Sequence, residues 1–160
     1  LFCFVNYNMK LPYLKQDCDL TLKEGLELHY SVNPSFEENV KLVPIFYNHD
    51  IVHVLFGLDT SIPNESLADS RCIFSTNWGF KKYFSDYFNN PNAVKIVKDI
   101  FKENGYIKSI FLSFICIPKI FRVYIDSKRM YKKWELYPND DLLNTKLSDL
   151  RNKYNITIIN

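Results

Sequence analysis

Helix-breaking residues divide this sequence into short segments, and that division is the strongest constraint on its fold. Four breaks each follow a stretch in which apolar residues recur every three or four positions: Asn33-Pro34, Gly57, Asn89-Asn90-Pro91 and Gly105. The 160 residues include only four glycines, too few for the tight turns of a β-sandwich or propeller. We therefore predict a single all-α domain over residues 1–160, a compact multi-helix bundle.

Capping signals place the helix boundaries. Thr21-Leu-Lys-Glu24 fits a capping box, in which the first and last residues satisfy each other's free backbone N–H groups. Gly57 suits the left-handed residue that closes a helix, and Gly105 ends another. The predicted helices cover about residues 22–33, 37–46, 48–56, 64–88, 92–104, 106–125 and 140–154.

Charge and cysteine content exclude some functions and compartments. Twenty Lys and Arg residues against 18 Asp and Glu leave a net charge of +2, which argues against nucleic acid as a partner. No Cys-x-x-Cys spacing occurs among the four cysteines, which are Cys3, Cys18, Cys72 and Cys116. We predict buried free thiols in a reducing compartment rather than a disulfide framework.

One apolar stretch, residues 106–125, is long enough to span a membrane. Lys108, Lys119 and Arg122 interrupt it, and Pro118 lies inside it. Each basic residue near the centre of a bilayer would cost ~2.5–3.5 kcal/mol on insertion scales. We therefore predict a buried core helix with an exposed apolar mouth, and membrane association without membrane spanning.

His49, Asp50 and His53 form a His-Asp-x-x-His pattern on the predicted helix 48–56. Positions i and i+4 lie on one face about 5–6 Å apart, so both imidazoles can reach one metal ion. The spacing follows the logic of zinc helices with His-Glu-x-x-His, in which the inner carboxylate is the general base. Asp50 can therefore be a ligand, a base, or a partner that orients an imidazole. Glu65, 12 residues after His53, is the natural further ligand from the next helix.

The same residues also allow a simpler interpretation. His49 and His53 can be ordinary core or surface residues, because histidines at this spacing also occur without a metal. The nearby carboxylates of Asp50 and Glu65 favour the interpretation of these residues as a metal site. The remaining histidine, His29, carries no spacing signal, and we assign it a structural role.

The metal motif lies within Tyr47-Asn-His-Asp-Ile-Val-His-Val-Leu-Phe-Gly57, and Glu65 follows His53 at an interval of twelve. This pattern resembles the His-Asp-x-x-His-x(11)-Glu signature of the coenzyme Q (ubiquinone) biosynthesis protein 4 family. Segments on both sides are also similar to that family: Thr21-Leu-Lys-Glu-Gly-Leu26 through Asn33-Pro34, Lys133-Trp134-Glu135, Leu150-Arg151 and Ile156. The resemblance covers about residues 20–157.

The resemblance implies an all-helical protein at the surface of a membrane. It implies a divalent metal, zinc being the expected ion, held by His49, Asp50, His53 and Glu65. It also implies a tunnel for a polyprenyl chain and oxidative decarboxylation at ring carbon 1 of a polyprenylated hydroxybenzoate. The expected location is the matrix side of the mitochondrial inner membrane in a eukaryote, or the membrane surface or cytoplasm in a bacterium. Expected partners are this quinone precursor, the membrane surface, other quinone-biosynthesis proteins and a second copy of the chain.

The residue types indicate how such a site would work. A cation held by imidazoles and carboxylates can bind the substrate's carboxylate or phenolate and polarise the ring. Asp50, if free of the metal, could move a proton. The expected lining of the lipid tunnel is aromatic, with core packing as the alternative for each residue: Phe74, Trp78, Phe111, Phe114 and Phe121. No flavin or haem motif is present, so oxygen or a partner must accept the electrons.

Two other functions are compatible with the sequence. One is a non-catalytic scaffold that binds prenyl lipids and organises a quinone-biosynthesis complex. The other is a metal-dependent hydrolase, since His-Asp motifs also occur in phosphohydrolases. A hydrolase would need further His and Asp ligands, and the chain has three histidines in total.

Overall fold

Ten α-helices and one 3₁₀ turn, Pro12–Leu14, make up most of the chain that the structure describes. The computed structural model describes residues 11–159, without the side chain of Ser113. That range contains no β-strand, which confirms the all-α prediction. The helices are α1 (Leu22–Val32), α2 (Pro34–Leu42), α3 (Phe46–Phe56), α4 (Ile62–Phe74), α5 (Gly79–Phe88), α6 (Pro91–Asn104), α7 (Tyr106–Ile115), α8 (Ile117–Arg129), α9 (Asp140–Leu143) and α10 (Leu147–Tyr154).

Helix α3 lies at the centre of the fold because it is buried on every side. All residues from 48 to 56 are buried, and a helix of this kind must be surrounded by other elements. Helices α1, α2, α4 and α10 and the 3₁₀ turn pack around it. Gly25 lets α1 approach closely, since a Cβ there would lie 2.6 Å from Val54 Cγ1. The metal motif is therefore part of the core.

Both helix caps that the sequence predicts are confirmed. At α1, Thr21 Oγ1 accepts a hydrogen bond from the Glu24 N–H at 3.1 Å, and Glu24 Oε2 accepts one from the Thr21 N–H at 2.8 Å. At α3, Gly57 has a φ of 66°, and its N–H donates to the carbonyls of His53 and Val54. This left-handed residue ends α3 and turns the chain towards α4.

A buried arginine joins the end of α3 to both ends of the described chain. Arg151 of α10 is fully buried. Its guanidinium donates to five carbonyl oxygens, which belong to Val54 and Leu55 in the last turn of α3 and to Tyr13, Lys15 and Gln16 nearer the N-terminus. The last carbonyls of a helix have no partner within the helix. Because α3 ends in the core, Arg151 supplies hydrogen bonds that water cannot.

The prediction of one helix over residues 64–88 is wrong, since the structure has two helices, α4 and α5. The residues between them pair with a distant segment instead. The Asn77 N–H donates to the Trp134 carbonyl at 2.9 Å, and the Trp134 N–H donates to the Ser75 carbonyl at 2.9 Å. Gly79, with a φ of 70°, then allows the turn into α5. These long-range hydrogen bonds leave no local signal in the sequence.

The prediction of one buried helix over residues 106–125 is also wrong. Pro118 lies in the first turn of α8, and because proline has no N–H it cannot continue the hydrogen-bond ladder of α7. Large apolar side chains on both helices are exposed, Ile107 of α7 at 87% and Phe121 of α8 at 64%. Within residues 11–159, no helix combines the length and apolar character needed to cross a membrane.

Two further boundaries differ from the predictions. The helix expected over 37–46 begins at Pro34, a residue suited to the first helical position. The helix expected over 140–154 is split into α9 and α10. Its middle pairs with the start of α1, where the Leu22 N–H donates to the Thr145 carbonyl at 3.0 Å. In the second case, a contact outside the helix decides where the helix ends.

The described cysteines are buried free thiols, as predicted: Cys18, Cys72 and Cys116. Cys3 lies outside the described residues. Burial, together with the negative charges of Asp69 and Asp50, raises the pKa of Cys72 well above its ordinary value. This thiol is therefore protonated at neutral pH.

Replacing the buried arginine should destabilise the protein far more than replacing an exposed one. Arg151→Met removes a donor from five carbonyls, of which Val54 alone is known to keep another, from the Gly57 N–H. We therefore expect the free energy of unfolding in urea to fall by at least ~3 kcal/mol. The control, Arg129→Met, removes an exposed guanidinium 3.8 Å from Asp126. It should change the free energy of unfolding by less than ~0.5 kcal/mol. Equal losses in the two variants would show that Arg151 does not hold the fold together.

Candidate metal centre

Two histidines and one carboxylate converge between α3 and α4. One ligand atom from each of His49, His53 and Glu65 lies within 4.8 Å of the other two. His49 Nε2 is 3.9 Å from Glu65 Oε2, and His53 Nε2 is 3.4 Å from Glu65 Oε1. Ligand atoms around a tetrahedral zinc lie ~3.3 Å apart, as its bonds of ~2.0–2.2 Å require. Small shifts of these side chains would therefore accommodate an ion.

The turn between the two helices sets the position of Glu65. Asp59 Oδ1 accepts hydrogen bonds from the Ser61 N–H at 2.9 Å and from Asn64 Nδ2 at 2.8 Å. These contacts define the start of α4, and Glu65 lies in its first turn. Helices α3 and α4 pack against each other, so this carboxylate faces the histidine pair, as the sequence predicts.

The environment of His53 fits a metal ligand. Its ring is fully buried, and Nδ1 donates to the Leu58 carbonyl at 3.3 Å. That hydrogen bond leaves the lone pair on Nε2, which is buried and has no hydrogen-bond partner. A buried polar atom without a partner is costly. A metal ion at Nε2 would satisfy it.

His49 has a carboxylate partner that the sequence analysis missed. Its Nε2 is 3.2 Å from Asp69 Oδ1, and the Tyr83 hydroxyl donates to the same oxygen. Burial alone would lower the pKa of His49, but the hydrogen bond to Asp69 and the charge of Glu65 outweigh burial and raise it to about 9. A metal at His49 must therefore displace a proton. Asp69 follows Glu65 by four residues, so its place on the same helix face could have been predicted.

Asp50 lies beside the ligand group rather than in it. The group of three converging atoms does not include Asp50, which the resemblance implied as a fourth ligand. The Asp50 carboxyl is buried, and its Oδ2 has no hydrogen-bond partner. Burial raises the pKa of Asp50 to about 7, although the charges of His49 and His53 oppose the shift.

His29 packs behind the site. Its ring stacks on that of His53, with centroids 5.5 Å apart, and its Nδ1 is 3.1 Å from the Tyr13 hydroxyl. Burial, followed by the charges of His53 and His49, lowers the pKa of His29 well below its ordinary value. The ring is therefore neutral at physiological pH. It supports the position of His53 and is not part of the ligand group.

The ligand group opens onto an apolar cavity of about 410 Å³. His49, Asp50, Glu65 and Asp69 contribute polar atoms to its wall. Most of the wall is apolar and comes from α4, α5 and α6, including Ile73, Phe84, Tyr87, Phe88, Val97 and Phe101. A cavity of this size suits a small organic ligand, for which ~300–1,000 Å³ is usual.

The five aromatic residues expected to line a lipid tunnel do not line this cavity. Phe111, Phe114 and Phe121 are exposed on α7 and α8. Trp78 is buried in the core, where its indole N–H donates to Asp86 Oδ2 at 2.8 Å. Phe74 packs against Tyr124, with ring centroids 5.4 Å apart. The surroundings of Trp78 and Phe74 fit ordinary core packing better than the lining of a lipid tunnel.

Removing a ligand should remove the metal but not the fold. We expect about one divalent metal per wild-type chain, and His53→Ala and Glu65→Ala should each bind it more than ~100-fold more weakly. Helix content, measured by far-ultraviolet circular dichroism, should stay near that of the wild type. Glu27→Ala is the control and should bind the metal as the wild type does, since it removes an exposed carboxylate of α1 outside the ligand group. Elemental analysis that finds wild-type metal content in His53→Ala and Glu65→Ala would contradict the assignment.

Comparisons with known proteins identify no family for this chain. No protein-family model, curated protein or solved structure matches it. The resemblance therefore rests only on the metal motif and the flanking segments named with it. What the structure adds is a His49–His53–Glu65 group that could hold a metal ion, at the wall of an apolar cavity.

Proposed function

We propose that the protein binds a divalent metal at His49, His53 and Glu65 and acts on a polyprenylated hydroxybenzoate in coenzyme Q (ubiquinone) biosynthesis. One observation carries this proposal: the ligand group opens onto an apolar cavity. The substrate has an anionic carboxylate and a phenol on one ring and a long apolar tail attached to it. The ligand group would bind the polar ring, and the apolar cavity would hold the start of the tail.

The proposed reaction is oxidative decarboxylation at ring carbon 1. The bond between the ring and the carboxylate breaks and carbon dioxide leaves. A hydroxyl group from water takes its place, and dioxygen accepts the two electrons and two protons as hydrogen peroxide. A bound metal would supply a Lewis acid for the carboxylate and ring. Asp50, buried beside the ligands, is positioned to carry a proton, and the apolar cavity wall would exclude bulk water.

A polyprenyl tail of several units would not fit within a cavity of about 410 Å³ and would have to extend out of it. Phe101 lines the cavity, and its ring stacks on Tyr106 with centroids 6.3 Å apart. Tyr106 begins α7, whose apolar residues are exposed. This pair connects the cavity wall to the exposed surface of α7 and α8. We take that surface as the route of the tail to the membrane.

The surface of α7 and α8 supports membrane association. Its exposed apolar residues are Ile107, Ile110, Phe111, Phe114, Ile115, Ile117 and Phe121. Basic residues occur on the same two helices, and each contributes ~1 kcal/mol near an anionic membrane surface: Lys108, Lys119, Arg122, Lys128 and Arg129. Apolar burial adds ~25 cal/mol per Å². Together these contributions suffice for reversible binding.

A non-catalytic prenyl-lipid scaffold is the second candidate function. The same exposed surface favours it, because a protein that presents lipids to other enzymes needs contact with the membrane and with partners. In that case the metal would hold α3 and α4 together and orient the head group. The two functions share the site and differ in whether product forms.

Turnover should separate the enzyme from the scaffold. Metal-loaded protein given the prenylated hydroxybenzoate and oxygen should release the decarboxylated, hydroxylated ring, detected by mass spectrometry. Val97→Trp fills the cavity and should weaken substrate binding at least ~10-fold. Lys95→Trp, exposed on the same helix, should not. Tight binding without product would support the scaffold, and absence of binding would contradict both functions.

Membrane binding should depend on both the charged and the apolar residues of α7 and α8. The protein should sediment with anionic vesicles at low salt and be released at high salt, because ions screen the attraction. The double variant Phe111→Ser/Phe114→Ser should sediment less than the wild type. The control Tyr131→Ser/Tyr137→Ser removes two exposed aromatic residues elsewhere. Equal binding to neutral and anionic vesicles would contradict the electrostatic contribution.

A further inference from the structure

We propose that Asp69 is a fourth ligand of the metal centre and that Tyr83 positions it. This inference rests on the proposed metal site and adds to it a residue that the motif does not contain. Helix α3 then supplies two histidines at i and i+4, and α4 supplies two carboxylates, Glu65 and Asp69, at the same spacing. Residues at this spacing share a helix face. Each of the two adjacent helices then contributes two ligands to the site.

The distance between Asp69 and His49 fits ligands on one ion. Asp69 Oδ1 lies 3.2 Å from His49 Nε2, whereas Glu65 Oε2 lies 3.9 Å away. Two ligand atoms on a tetrahedral zinc are ~3.3 Å apart. An ion that replaced the proton between Asp69 and His49 would therefore find both atoms near their final separation.

The surroundings of Asp69 leave it room to reach the ion. Its carboxylate lies outside the group of three converging atoms, next to His49. The side chain is 50% exposed, and it lines the cavity. It therefore has space within the cavity that His49 and Glu65 also line, next to a ligand group in which His53 Nε2 is buried without a hydrogen-bond partner. Asp50, in contrast, is buried and offers no such freedom.

Tyr83 orients the Asp69 carboxylate. Its hydroxyl donates to Oδ1, and its ring is buried between Trp78 and Tyr87, with centroids 5.1 Å and 4.6 Å away. A ligating carboxylate is commonly held by such a hydrogen bond. Tyr83 is a positioning residue, since it does not approach the ion itself. With Asp69 as the fourth ligand, Asp50 is left free for proton transfer.

The test is cobalt(II) binding to the full chain. Asp69→Cys replaces the carboxylate with a thiolate, which should give a sulfur-to-cobalt charge-transfer band in the near ultraviolet if residue 69 binds the ion. Asp50→Cys and Asp99→Cys are the controls and should show no band beyond that of the wild type. Asp99 is exposed on α6, away from the site.

Zinc affinity, measured by competition with a chelator, provides the second readout. Asp69→Asn should weaken it more than ~100-fold and Tyr83→Phe about 10-fold, while Asp99→Asn leaves it unchanged. Loss of affinity in Asp69→Asn without a band in Asp69→Cys would overturn ligation, as would wild-type affinity in Asp69→Asn. If wild-type protein bound neither metal, the whole metal centre would be wrong. Metal binding that is independent of residue 69 would overturn only this inference.

Discussion

The hydrogen bonds of Arg151 are the interaction on which the rest of the structure depends. Helix α3 is buried along its length, so the carbonyls of its last turn end in the core, where water cannot reach them. Arg151 satisfies two of them and also binds carbonyls near Tyr13, joining α3 to both ends of the described chain. Burial lowers its pKa to about 10, so it stays charged at neutral pH. His53 lies in the same last turn, and its position depends on this anchor.

The core helix also explains the chemistry of the site. His49, Asp50 and His53 are, with Asn48, the buried polar residues of a helix that is otherwise largely apolar. Burying such groups is unfavourable unless each has a partner. Leu58 satisfies one nitrogen of His53, while its other nitrogen and one oxygen of Asp50 have none. An ion at the second nitrogen of His53 would satisfy that atom, which is the physical argument for the metal.

Two apolar features of the fold meet at the start of α7. The cavity beside the ligand group is lined largely by α4, α5 and α6, and the exposed apolar surface belongs to α7 and α8. The stacked pair Phe101 and Tyr106 lies between them. An apolar ligand that occupied the cavity could therefore continue along the surface, which would also bury residues that otherwise face water.

The sequence by itself determined the helical class, the caps at Thr21 and Gly57, and the His49–His53–Glu65 group, because caps and helix spacing are local. Because the turn after α3 is short, the next helix must run back alongside α3, which brings Glu65 close to the two histidines. Pro118 was a local signal for the break in the helix predicted over 106–125. Only the tertiary structure decided where the helix predicted over 64–88 breaks and which aromatic residues line the cavity. A break made by hydrogen bonds to Trp134 has no local pattern. Whether an aromatic residue packs, lines a cavity or faces water depends on which distant helix covers it.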